Sequence, residues 1–290
     1  MTLECTSANG ADMHKLHGFG LALVLAAAAC APTTPPTSGP FVPASPSGPA
    51  VPPAPVIVSV SGQTPSPAYA AVEAADRSAD DRALDGGRKP AEVLAFFGIG
   101  SGMRVAELGA GGGYTAELLA RTVGPRGKVY AQNSRTLLER FAEKPWSDRL
   151  AKPVMANVVR VNRELDDPFP AEAKDLDAVV IVLFYHDSVW LKTDRDKMNR
   201  AVFAALRPGG IYGIVDHAAK DGSGVNDVET LHRIEEKLVR DEVLHAGFEL
   251  EAESNVLRNP SDARDWNASP RKAAERRGTS DRFVLRFKKH

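Results

Sequence analysis

Val105-Ala106-Glu107-Leu108-Gly109-Ala110-Gly111-Gly112-Gly113 runs directly into Tyr114-Thr115-Ala116-Glu117-Leu118-Leu119-Ala120-Arg121-Thr122-Val123. The apolar run Arg104 to Leu108 is the length of a buried strand, and glycines at alternate positions permit a tight turn. Leu118, Leu119, Thr122 and Val123 then fall on one side of a helix. The segment therefore reads as strand, glycine turn, helix, with backbone N–H groups of the turn free to approach a ligand at the helix N-terminus.

The same order repeats on both sides of this unit. Upstream, Pro90 suits a first helical turn, and Val93, Leu94 and Phe97 follow at helical spacing, so a helix ends near Gly98 to Gly102. Downstream, strands are expected at Lys128–Ala131, Val158–Val161, Ala178–Phe184 and Ile211–Val215. Helices are expected at Thr136–Glu143 and through Met198, Val202, Ala205 and Leu206, the latter stopping at Pro208-Gly209-Gly210. A longer helix is expected from Asp227 to His245, ending at Gly247. Phe248–Glu253 and Arg282–Phe287 alternate as a hairpin would, separated by a polar excursion from Arg258 to Ser280. Continuous apolar strands indicate a sheet covered on both faces. The expected fold is α/β and doubly wound: a mostly parallel, seven-stranded, Rossmann-like sheet with a C-terminal antiparallel hairpin.

The 290 residues divide into three parts. Met13-His14-Lys15-Leu16-His17 and the apolar run Phe19–Ala29 read as an export signal too short to span a bilayer, with Met13 an alternative start. Ala27-Ala28-Ala29-Cys30 resembles a lipoprotein cleavage box, so residues 1–30 are expected to direct export and acylation of Cys30. Ala31 at the next position resembles outer-membrane sorting. Plain secretion, or a cytoplasmic product from a later start, are the alternatives. Residues 31–68 carry proline at about every third position and almost no charge, the composition of an extended linker. The globular part, 69–290, begins near Tyr69. A formal net charge of −1 gives no electrostatic case for nucleic acid or an anionic membrane as the main partner.

Glu107 narrows the ligand of the glycine turn. A carboxylate at the strand end repels the pyrophosphate of a dinucleotide, but favours a zwitterion with an amino group, such as S-adenosylmethionine (SAM). With this unit order, the segment resembles motif I of the class I SAM-dependent methyltransferases. Arg207-Pro208-Gly209-Gly210 resembles their turn before the fifth strand, and the likeness spans roughly residues 76 to 290. Arg88-Lys89-Pro90-Ala91-Glu92, Val129-Tyr130-Ala131-Gln132-Asn133 and Phe184-Tyr185-His186-Asp187 resemble a group of bacterial predicted methyltransferases, often exported. The resemblance implies SAM as cofactor, held by Glu107, Gly109, Ala110, Gly111, Gly113 and Tyr114. It also implies a ribose contact at Gln132-Asn133, where the family usually has an acid, and an adenine contact near Glu164. Asp80, Asp81, Arg82, Asp85, Arg88 and Lys89 match a segment that often folds over the cofactor.

Ligands of open parallel sheets sit at the carboxyl ends of the strands. Tyr185-His186-Asp187 and Asp216-His217 stand at two such ends, and either His186 or His217 has the ordinary pKa of a base for deprotonating an acceptor before methyl transfer. Each can equally be a strand cap. His186, Asp187, Asp216, His217 and His232 also suit a divalent transition ion if they converge. No H-x-x-H or C-x-x-C spacing supports that, so no metal ligand is assigned. A small-molecule acceptor is expected. The competing expectation is an exported module that binds a small ligand without methyl transfer.

Overall fold

The computed structural model describes residues 66–290; the export segment, Cys30 and most of the proline-rich stretch lie outside the described residues. Seven strands, β1 (Arg104–Leu108), β2 (Lys128–Asn133), β3 (Val158–Asn162), β4 (Leu176–Val182), β5 (Leu206–His217), β6 (Glu249–Ser254) and β7 (Arg282–Lys288), form one sheet. Their order is β3-β2-β1-β4-β5-β7-β6. The first five are parallel to one another, and β7 runs antiparallel between β5 and β6. The expected sheet, with its terminal hairpin, is what forms.

Helices cover both faces. They are α1 (Pro67–Glu73), α2 (Ala79–Arg88), α3 (Pro90–Phe96), α4 (Tyr114–Val123), α5 (Arg135–Leu137), α6 (Glu143–Leu150), α7 (Asp187–Trp190), α8 (Arg195–Ala205), α9 (Val228–Leu231) and α10 (Glu236–His245). Their starts follow local chemistry: the Ser78, Ser134 and Asp194 side chains accept N–H bonds at the first turns of α2, α5 and α8. α1 begins ahead of Tyr69 and buries Ala68 fully. Leu108 of β1 and Val179, Val180 and Ile181 of β4 are wholly buried, as expected for strands covered on both faces.

Four boundaries differ from the sequence expectation. The helix at Thr136–Glu143 continues to Leu150 through a π-turn at Leu138–Ala142. β4 stops at Val182, because Leu183 takes a left-handed φ of 55° and turns Phe184 out of the sheet. Pro208-Gly209-Gly210 is a bulge within β5: Leu176 pairs with Leu206 but Ala178 with Ile211. The helix expected over Asp227–His245 breaks at His232, whose φ is 58°, and resumes at Glu236. Arg233 explains the break. Its guanidinium is fully buried, donates to the Ala218 carbonyl at 3.0 Å and pairs with Asp262 at 2.9 Å, drawing the chain to the end of β5.

Candidate functional site

The glycine turn links β1 to α4, and its shape is imposed by neighbours. A Cβ on Gly109 (φ 65°) would stand 1.9 Å from the Phe184 ring, and one on Gly113 (φ 84°) 2.5 Å from Trp146. Gly111 faces open space. The N–H groups of Gly109 and Gly111 donate to the side-chain oxygens of Gln132 (2.9 Å) and Asn133 (2.7 Å). Those of Ala110 and Gly113 donate to the Gln132 and Ala110 carbonyls. Four of the turn's donors are taken within the fold, and Gln132 and Asn133 brace the turn: the Gln132 amide also donates to the Arg163 carbonyl at 2.6 Å, and Asn133 to that of Gly111 at 3.1 Å. An amide both accepts from and donates to backbone, which a carboxylate cannot do. Glu164 is exposed and accepts the Arg135 N–H at 3.3 Å.

Glu107 is different. Its carboxyl lies almost wholly buried below the turn, with Oε2 lacking any hydrogen-bond partner. Burial pushes it from 4.5 up to about 8, against the opposing pull of Thr115, Arg88 and Arg149. The folded chain therefore holds this proton more tightly than the unfolded one. The resulting stability is fully present below pH about 4.5 and is lost as pH rises through about 8, an effect on the order of a few kcal/mol. A Glu107→Gln chain is expected to lack it. In denaturant titrations from pH about 5 to about 8.5, the wild type should lose stability relative to the variant; parallel curves would show that Glu107 is not buried as described.

The mixed-charge segment does fold over the start of α4. Tyr114 donates to Asp85 at 2.6 Å, Asp85 is held bidentately by Arg77, and the Arg88 guanidinium stacks 4.4 Å from the Tyr114 ring centroid. Asp81 pairs with Arg149, which also reaches Glu117 and the Gly112 carbonyl. Arg149 and Trp146 come from the extension of the helix beyond its expected end.

Arg88 and Leu183 border both a small apolar recess beside Tyr114 and an open cavity of about 320 Å³ at the carboxyl ends of β4 and β5. Among the described residues, the cavity is lined by Arg88, Arg277, Arg282 and His217, and by no carboxylate. Arg282 donates only to backbone carbonyls and a serine, and burial together with Arg88 brings its pKa down to about 10. A larger hollow of about 890 Å³ lies around Gly102, Arg104 and Lys128, at the amino ends of the strands, where open parallel sheets do not place ligands.

The histidine expectations separate. His217 borders the cavity; its Nδ1 lies 2.7 Å from Ser280 Oγ, and burial, then His186, lowers its pKa well below the usual value, so it is neutral at pH 7. His186, the other candidate base, is fully buried. Its Nδ1–H donates to Asp216 at 2.6 Å, and Asp216 also accepts the backbone N–H groups of His186 and His217. Burial, which alone would lower the pKa of His186, is outweighed by Asp216 and Asp187, which raise it to about 10. Asp216 is thus a buried brace that ties the start of α7 to the end of β5. Tyr185 is fully buried; it donates to Glu242 and accepts from Asn199, facing α8 and α10. Asp187 and His232 approach His186, the two imidazole rings being 4.0 Å apart. His232 was legible only as the border of a helical stripe; the break in the helix brings it here.

No family model matches the sequence. Among solved structures, the chain is similar to a SAM-dependent methyltransferase from Aquifex aeolicus, with 19% identity, a TM-score of 0.51, and 72% of this chain and 96% of that one covered. The chain has the fold of the class I methyltransferases. It is also similar to the cyclase SpnF, with 17% identity, a TM-score of 0.50, and 75% and 84% of the two chains covered. Since a cyclase shares it, the fold alone does not specify methyl transfer.

Proposed function

We propose that the chain is a SAM-dependent methyltransferase acting on a small anionic acceptor. The observation that carries the cofactor half is Glu107: a buried carboxyl with an unpartnered oxygen, beneath a glycine turn that is open at Gly111, suits the ammonium group of SAM. The acceptor half rests on the cavity at the strand ends, which three guanidiniums line and, among the described residues, no carboxylate does. An anion there restores the favourable charge environment that burial denies Arg88 and Arg282. His217, neutral and at the edge of this cavity, is the group placed to take a proton from the acceptor.

A second reading has its own support. The turn's donors and the Gln132 and Asn133 amides are already engaged, which favours a module that binds a nucleoside-like ligand loosely and transfers nothing. Export to the periplasm, with a lipid anchor at Cys30, belongs to the same proposal, since SAM is made in the cytosol. The full chain, incubated with methyl-labelled SAM and a panel of small carboxylic and phosphorylated acids, separates the two readings. The enzyme reading expects label in an acid, slowed about 100-fold or more by His217→Asn. SAM binding with no labelled product from any acid would leave the binding module.

A further inference from the structure

His186, Asp187 and His232 bring one ligand atom each within 4.8 Å of one another. The three come from the residue before α7, the first residue of α7 and the break after α9, so the fold assembles what the sequence spacing does not show. His186 Nε2 and Asp187 Oδ1 are 3.3 Å apart, and His232 Nδ1 lies 3.9 Å from the same oxygen. Two donors each ~2.0 to 2.1 Å from one tetrahedral ion are separated by about 3.3 Å. The two separations from Asp187 are already at or near this value, and the two imidazole nitrogens, within 4.8 Å of each other, need to close by at most about 1.5 Å to hold a cation.

Further observations point to a ligand. His186 is wholly buried and its Nε2, although near Asp187, has no hydrogen-bond partner. Such an atom is costly unless something else satisfies it. Asp216 accepts the other ring N–H of His186 at 2.6 Å, the carboxylate–histidine arrangement that orients an imidazole toward a metal. Trp190 donates at 2.6 Å to Asp187 Oδ1, the oxygen that also faces the two histidines, and so holds that carboxylate in place. Finally, His232 holds a left-handed φ of 58°, a strained conformation for a residue with a Cβ, which turns its ring onto His186. Two carboxylates, Asp187 and Asp216, face this cluster, and a divalent cation that displaces the proton from His186 Nε2 balances their charge in its place.

We propose that His186 Nε2, Asp187 and His232 Nδ1 form a binding site for a divalent first-row transition ion, with Asp216 and Trp190 as orienting residues. Two imidazoles and a carboxylate suit zinc or cobalt better than magnesium or calcium. The site lies beside the cavity, His232 and His217 being 6.3 Å apart between ring centroids. It does not depend on methyl transfer being the reaction.

The test is titration of the full chain, first stripped with chelator, with Zn²⁺ by calorimetry and with Co²⁺ by visible absorption. One ion per chain is expected, with a cobalt spectrum of low coordination number. His232→Ala, at a partly exposed position, should weaken binding about 100-fold or more while leaving the melting midpoint of the stripped chain near that of the wild type. Asp187→Asn provides a second variant, expected to lose binding in the same range. Absence of binding below millimolar concentration would overturn the proposal, as would affinity unchanged in both variants.

Discussion

Asp216→Ala is expected to lower the stability of the chain by about 3 to 5 kcal/mol, the cost of removing one partner from a buried charged pair. Asp216 is wholly buried and accepts from His186 N–H at 2.8 Å, His186 Nδ1–H at 2.6 Å and His217 N–H at 2.7 Å. Alanine leaves two backbone donors and an imidazole unsatisfied between β4 and β5. Asp216→Asn keeps the volume and one acceptor oxygen but loses the charge, and should fall between alanine and wild type. Urea unfolding measures both. A loss below about 1 kcal/mol for alanine would mean that water replaces the carboxylate and that the strand ends are not sealed as described.

Gly109→Ala is the second large effect. Position 109 has φ 65°, and its added Cβ would meet the Phe184 ring at 1.9 Å. A left-handed residue with a Cβ costs about 1 to 2 kcal/mol, and overpacking about 1 to 3 more, so about 2 to 5 kcal/mol is expected in all. Gly111→Ala supplies the contrast within the same turn. At φ 55° with nothing within 4 Å, it should cost the conformational part alone, about 1 to 2 kcal/mol. Equal losses at the two positions would contradict the packing of Phe184 against the turn.

The sequence was most legible where one short segment holds all the information. β1 and α4 form at the residues expected, because strand length, glycine spacing and helical periodicity are local properties. It was least legible where a distant side chain decides. The break at His232 depends on Arg233 finding Asp262 in what reads only as a polar excursion. Tyr185 stands at a strand end yet turns inward, because Glu242 and Asn199 lie on helices whose packing the local pattern does not reveal. Gln132 and Asn133 read as weakened ribose ligands because the family carries an acid there. The coordinates give them another task, bracing the glycine turn. Arg277 gave no periodic or motif signal, and Arg282 read only as the first residue of a hairpin strand; the return of β7 beside β5 brings them to the cavity.

Among the proposals, SAM binding under the glycine turn is central. Calorimetric titration of the full chain with SAM, in parallel with Glu107→Gln, tests it most directly. One site per chain is predicted, weakened about tenfold or more in the variant, at least 1.4 kcal/mol of binding energy. No heat at millimolar SAM, or equal affinity in both proteins, would contradict it.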